Sequence, residues 1–268
     1  MIARELLLDS GGIVLRGSVV LPSSSGGWPL TVLCHGIPSG VPVPGDPGYE
    51  ALAVRFAQDG SAACYFNFRG TGLSEGDFSL GGWAADLEAL LDAARKARGV
   101  FEGCDPDRIA LVGFSGGGAV SIVCAARVRE LAGVATLSSP ADFSRLLSRE
   151  EMEDFVAHAR TIGIVRDPSF PSSLDDYYQE MLAHNPVAVV GEVAPTPLCI
   201  IHGDRDDTVS VQEAYRLYEA AGEPKELYVV EGGEHKLRLN PEAMDKAVGW
   251  ALERLGINPG HGTFQEAL

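Results

Sequence analysis

Ser115 is the side chain around which a reaction could be built, because it lies in Gly113-Phe114-Ser115-Gly116-Gly117-Gly118, directly after the apolar run 109–113. A buried strand that turns through glycines into the breaker-free stretch 119–128 would hold its apex residue on a strained backbone, hydroxyl outward. At neutral pH a serine hydroxyl becomes nucleophilic only beside a base, and the base needs an acceptor that fixes its tautomer. Aspartates at 204, 206 and 207 and histidines at 202 and 235 follow the serine in the chain. That order, serine then acid then base, suits acyl transfer. Two other chemistries compete. Glycine-rich turns also cradle phosphates, but 69–76, the other glycine-punctuated turn, has neither the P-loop lysine nor a G-x-G-x-x-G spacing. Cys34 adjoins His35 in the manner of a thiol–imidazole pair, yet it lies in an apolar run and reads as a buried strand thiol.

Positioning these residues requires a particular scaffold. Residues 5–8 and 13–21, separated by Asp9-Ser10-Gly11-Gly12, have the spacing of a β-hairpin. Further strands are expected at 30–34, 62–67, 109–113, 134–139, 198–201 and 226–230, the inner ones apolar enough to be buried on both faces. The polar turn Asp105-Pro106-Asp107 should precede the Ser115 strand. Helices are expected at 50–58, 80–98, 119–128, 211–221 and 241–255, with a long proline-rich loop at 38–49 and a loose tail after Gly256. Residues 141–194 show no central-strand pattern. They read as a small helical cap inserted between sheet strands, with helices at 144–159 and 175–183, leaving 1–140 and 195–268 as the core domain. The predicted fold class is α/β: a three-layer sandwich around a mostly parallel sheet with an antiparallel N-terminal hairpin. Ligands of such sheets bind at the carboxyl ends of the strands. His35, Asn67, Ser115, Ser138, Asp206 and His235 end successive strands and so become neighbours.

Together, Gly113-Phe114-Ser115-Gly116-Gly117, His202-Gly203-Asp204-Arg205-Asp206-Asp207-Thr208-Val209 and His235 resemble the α/β-hydrolase superfamily. His35-Gly36 and the stretch 67–74 resemble two loops of its serine esterase and aminopeptidase-like branch. The resemblance covers nearly the whole chain and implies a Ser-His-Asp triad. The family pattern H-G-x-x-D-x-x-V falls on Asp206 as the acid, with Asp204 and Asp207 as competitors. The family's base falls on His235, and His202 is then structural. Two backbone N–H groups should hold the developing oxyanion: Gly116, at the start of the following helix, and Ile37, after His35-Gly36. The loop 69–76 should support the oxyanion loop. Glu234 reads as a solvated carboxylate. Phe143, Phe155, Phe170, Tyr177 and Tyr178 are candidate linings of the acyl pocket under the cap. The implied activity is a carboxylesterase acting on small to medium acyl esters. Relatives that cleave oligopeptides usually carry a large domain ahead of the hydrolase domain, where this chain has a hairpin, so a peptidase or amidase is the second expectation and a non-catalytic binding protein the third.

Composition narrows the field. A formal charge of −16 and a pI near 4.7 repel phosphate backbones, which argues against nucleic-acid binding. The expected partner is a small-molecule ester or acyl substrate. An odd count of five cysteines without regular spacing favours free thiols and a reducing, cytoplasmic location. No run of 18 apolar residues and no signal-peptide pattern stands in the sequence. No metal or cofactor is expected, because no His/Cys/Asp cluster has ligand spacing. Oligomeric state is left open, with a homodimer as one option.

Overall fold

The strands that read as continuous apolar runs occupy the middle of one eight-stranded sheet, where both faces must be covered. The computed structural model describes residues 1–41, 43 and 45–258; the tail expected to be loose lies mostly outside them. β1 (Ile2–Ser10), β2 (Ile13–Leu21), β3 (Trp28–Cys34), β4 (Ala62–Asn67), β5 (Cys104–Phe114), β6 (Gly133–Leu137), β7 (Leu198–Gly203) and β8 (Lys225–Val230) are ordered 1-2-4-3-5-6-7-8. β1 pairs antiparallel with β2 and β2 with β4, and all other pairs are parallel. This is the α/β-hydrolase arrangement, hairpin included.

Helices cover both faces. α2 (Leu80–Arg95), α3 (Gly116–Arg127) and α6 (Val211–Ala220) bury their apolar stripes in one core cluster, with α4 (Met152–Thr161) and α5 (Leu174–Ala183) against it. α1 (Gly48–Gln58) and α7 (Pro241–Arg254) form the other layer. Successive residues of a strand serve opposite layers: in β7, Leu198 and Ile200 join the first cluster, Cys199 and Ile201 the second.

Three local expectations needed correction. The Ser115 strand is longer than its apolar run, because it continues through Asp105-Pro106-Asp107, with Trp28 paired to Cys104 and a register shift before Leu30. Asp105 takes the Asp107 N–H and the Arg108 side chain there, so a turn-like composition is held within the start of a central strand. The helix expected at 144–159 is a short 3-10 turn at Phe143–Arg145 and then α4. Carboxylates start each piece: Asp142 accepts the Ser144 N–H and caps the 3-10 turn, and Glu151 accepts the Ser148 N–H just ahead of α4. α3 begins at Gly116, so its glycines lie inside the first turn of the helix.

Candidate active site

Crowding explains the glycines around Ser115. A Cβ on Gly117 would lie 2.3 Å from the His35 carbonyl oxygen, and one on Gly113 would lie 2.6 Å from the Gly118 Cα. Both are closer than non-bonded atoms tolerate, so β3, β5 and α3 can meet only without these side chains. Ser115 itself takes φ 50° and ψ −123°, a costly conformation for a residue with a Cβ. Its N–H is tied to Leu137 O at 2.8 Å, and its carbonyl accepts from Gly118 and Ala119. The strand-to-helix turn is thereby over-determined, and Ser115 opens onto a cavity.

Across that cavity, His235 Nδ1 lies 3.0 and 2.9 Å from the two Asp206 carboxylate oxygens. A carboxylate only accepts, so Nδ1 carries the proton and Nε2 is the bare, basic nitrogen. Asp206 also accepts the N–H groups of Thr208 and Val209, and its side chain is fully buried. Burial pushes its pKa up, but hydrogen bonds from His202, His235 and Val209 outweigh it and hold the carboxyl well below the usual carboxylate range. The competing aspartates are engaged elsewhere: Asp204 accepts the Gly232 N–H at 2.7 Å, and Asp207 meets the Thr208 hydroxyl. Glu234 is exposed. Among the described residues no hydrogen bond joins His235 to Ser115; such contacts commonly tighten only around substrate.

Ile37 and Gly116 lie together beside the serine. A Cβ on Gly116 would meet Ile37 Cγ1 at 2.9 Å and Ile37 N at 3.6 Å, and one on Gly36 would meet Ser115 Cβ at 3.0 Å. Neither the Ile37 nor the Gly116 N–H has an acceptor among the described residues. His35 sets the first of them. Its Nδ1–H donates to Gly36 O at 2.8 Å, which orients the Gly36–Ile37 peptide and turns the Ile37 N–H the opposite way. His35 Nε2 accepts the Phe68 N–H at 3.1 Å and lies 3.1 Å from the Thr71 hydroxyl. Phe68 and Thr71 therefore hold the His35 ring, and through it the Gly36–Ile37 peptide. Burial lowers the His35 pKa to about 4, keeping it neutral. Burial also pushes the Cys34 thiol up to about 12, as suits an inert strand cysteine.

The cavity measures about 940 Å³. The proline-rich loop after Ile37 forms one wall and Lys236 to Leu239 the other, with Phe114 and Leu137 at its floor beside Ser115. The aromatic residues of 141–194 do not line it. Phe143 and Tyr177 are buried in the main core, Phe155 stacks edge-on against Phe78, Phe170 against Tyr177, and Tyr178 packs against the same cluster. These side chains complete the cover over α2, where apolar surface on the sheet's helical layer would otherwise be bare. Ile162 is the nearest approach, beneath Gly40.

Sequence reasoning missed a brace between the two walls. Arg238 makes a two-pronged ion pair with Asp46 and lies 4.5 Å over the Tyr49 ring, which stacks edge-on against Phe114. The partners are 192 residues apart, and no local motif signals such a contact. The only hint was their charge within otherwise apolar loops. Among the described residues no group of three or more His, Cys, Asp or Glu converges as a metal site would, and no helix is long and apolar enough to cross a membrane.

With this geometry in view, the model of the prolyl oligopeptidase family matches residues 48–258. The chain belongs to that family. Its relatives include the uncharacterized protein YfhR of Escherichia coli K12, 31% identical over 171 residues, which are 63% of this chain and 51% of YfhR. The chain thus spans about half the length of that relative. The uncharacterized protein PA2218 of Pseudomonas aeruginosa is 24% identical over 91% of this chain and 78% of its own. Among solved structures, the α/β hydrolase GrgF from Penicillium sp. sh18 superposes with a TM-score of 0.75 at 18% identity, covering 96% of this chain and all of GrgF. The Pyrococcus furiosus esterase Pf2001 gives a TM-score of 0.69 at 22% identity, over 95% of this chain and 91% of the esterase. Prolyl oligopeptidase family membership and the α/β-hydrolase fold agree with each other, and they support hydrolytic chemistry.

Proposed function

We propose that the protein is a serine hydrolase acting on small to medium carboxylic esters, with Ser115 as nucleophile, His235 as base and Asp206 as the acid that orients it. The observation that carries this reading is the Asp206–His235 pair, which leaves Nε2 bare in the cavity that also holds Ser115. Ser115 Oγ attacks the ester carbonyl carbon while His235 Nε2 takes its proton. The N–H groups of Ile37 and Gly116 stabilise the oxyanion, and Asp206 stabilises the imidazolium. As the C–O bond breaks, Nε2 returns the proton to the leaving alcohol. Water then attacks the acyl-serine by the same steps in reverse order.

Residues 141–194 act as a cap over the α2 side of the core, on this reading, and 1–140 with 195–268 as the catalytic domain. Substrate shape is set by the loop after Ile37 and by Lys236 to Leu239, not by the cap aromatics. All five cysteines are buried and unpaired, which fits a reducing, cytoplasmic setting. A peptidase or amidase activity is the second reading, favoured by the prolyl oligopeptidase family match. A fluorophosphonate probe should label Ser115 and fail on Ser115→Ala. p-Nitrophenyl esters of rising chain length, assayed beside aminoacyl anilides, decide between the two activities. Preference for the anilides overturns the ester assignment, and a wild-type protein that hydrolyses substrate without being labelled overturns the mechanism.

A further inference from the structure

The Asp206 carboxylate is approached by two histidines. His235 lies on its cavity side; on the other, His202 at the end of β7 puts Nε2 2.8 Å from Val209 O and 3.3 Å from Asp206 Oδ2. His202 is completely buried. Both of its neighbours at Nε2 are acceptors, so Nε2 must carry a proton and, in the neutral ring, Nδ1 must be bare. Nδ1 is buried without a hydrogen-bond partner. A bare, unsatisfied ring nitrogen normally costs free energy.

The neighbouring strand supplies a donor. Leu137 of β6 is in register with Ile201 of β7, and the Ser138 N–H bonds to Ile201 O at 3.0 Å. Ser138 is therefore the residue beside His202 at the next step. Its hydroxyl is also buried without a partner, as is that of Thr136 two residues earlier. Ser138 takes φ 51°, almost the value of Ser115 at the end of the next strand over. Glycine would adopt this conformation more readily, so the serine is retained at a conformational cost.

We propose that His202 is a positioning residue for the Asp206 carboxylate, with its bare Nδ1 satisfied by the Ser138 hydroxyl through one bridging water. The proposal rests on the hydrolase reading for its functional meaning. Buried water characteristically joins polar groups that lack other partners, and here Ser138 Oγ, His202 Nδ1 and Thr136 Oγ1 are such a group. The result is a chain Ser115, His235, Asp206, His202, Ser138 that is nearly mirrored about the carboxylate. Its outer half is open to the cavity and reactive; its inner half is closed. Closure makes the inner half a support, since substrate cannot reach it. The His202 N–H takes part of the Asp206 charge and fixes the carboxylate that in turn orients His235.

Charged groups near His235 are Asp206, the adjacent Glu234 and Lys236, and the Asp46–Arg238 pair on the cavity wall; Arg205 and Asp207 flank Asp206 in its loop. None of these is altered by changes at 202 or 138. The test is nitrogen-15 NMR of the histidine rings in the intact protein, recorded against pH. Wild-type His202 should show the Nε2–H tautomer. His202→Leu removes a donor from Asp206, so the His235 titration midpoint should rise by about half to one unit, whereas His202→Gln, whose amide can reach the same place, should leave it near wild type. Ser138→Gly suits the backbone but lacks the hydroxyl. It should leave His202 as the Nε2–H tautomer, loosen its hold on Asp206 and raise the His235 midpoint by a smaller amount. An Nδ1–H tautomer in the wild type, or an unmoved His235 midpoint in folded His202→Leu, overturns the proposal. If His202→Leu does not fold, the wild-type tautomer and the Ser138→Gly midpoint still decide it. Ring spectra require no turnover, so a protein inert to fluorophosphonate would refute the hydrolase reading without altering this result.

Discussion

Ser115, Gly116 and Ile37 are held where they are by backbone packed against backbone. Asp206 and His235, on the opposite side of the same cavity, sit on loops that also meet backbone to backbone, where a Cβ on Gly203 would lie 2.1 Å from Gly233 O, but the two side chains themselves are fixed by hydrogen bonds. On the first side, β3, β5 and α3 approach so closely that Gly117 has no room for a Cβ. On the second, loops from β7 and β8 carry a carboxylate that collects the Thr208 and Val209 amides and the His235 ring. Packed backbone cannot be altered locally without cost to the fold, because close-packed interiors transmit strain. Hydrogen-bonded loops can lose a function and keep their shape. The two sides should therefore fail differently when mutated.

The largest effect tests chemistry alone. His235→Gln and Asp206→Asn should each lower kcat by about 10⁴-fold, as triad members do, while the melting temperature changes little. Ester hydrolysis and a thermal melt on the same samples check this. A melt lowered as much as that of a core-packing variant would erase the distinction between the sides. Next in size is Gly117→Ala. One added methyl meets two backbone carbonyl oxygens, those of His35 and Cys34, which cannot step aside as a flexible side chain would. Destabilisation of about 3 kcal/mol or more is expected, seen as a lower denaturant midpoint or as insoluble protein. A well-folded Gly117→Ala with normal stability would show that the elbow has slack.

A pH effect comes from His35, on the packed side. Burial depresses its pKa to about 4 from a usual 6.5. Between those values the unfolded chain binds a proton that the native protein does not, so stability rises with pH. Its contribution is fully present above about pH 6.5 and is lost as pH falls through about 4, a change on the order of 3 kcal/mol. Denaturant titrations of wild type and His35→Asn across pH 4 to 7 should converge toward the acid end. Parallel curves would mean that His35 is not buried neutral.

The same contrast explains what could be read from the amino-acid order. Ser115 and its glycines were legible because close backbone contact imposes glycine at fixed offsets, and offsets survive in one dimension, whereas Ile37 was singled out only through the family resemblance. Asp206 and His235 were legible only through the family pattern, since the physics of the residues left Asp204 and Asp207 open until the loop was folded. The strands and the hairpin followed from hydrophobic periodicity, but the order 1-2-4-3-5-6-7-8 came only with the fold. The cap aromatics were misread because an apolar residue in an insertion has the same signature whether it lines a cavity or covers a helix, and Phe143 and Tyr177 cover. The continuation of β5 through Asp105-Pro106-Asp107 was hidden by turn-forming residues at the start of a central strand.

Arg238 and Asp46 test whether the two sides are independent. Arg238 is three residues beyond His235, and Asp46 closes the loop that begins at Ile37. Their ion pair, with Arg238 over Tyr49 and Tyr49 against Phe114, is the contact that ties the hydrogen-bonded side to the packed one. The Arg238 guanidinium holds the Asp46 carboxyl below its usual pKa, so the pair is ionised at neutral pH. Both side chains are about four-fifths buried, and removing either leaves the other without its partner. Arg238→Gln and Asp46→Asn should each lower kcat/KM about 3- to 10-fold, roughly 1 kcal/mol, and each should also lower the melt, because the partner left behind is largely buried and unpaired. Arg238→Lys should rescue poorly, because an ammonium offers neither the two-pronged contact nor the flat face. If the brace acts as one unit, the double variant should be no worse than the poorer single one. Multiplying losses would mean that the two loops are positioned separately, and that the cavity is two independent walls around one serine.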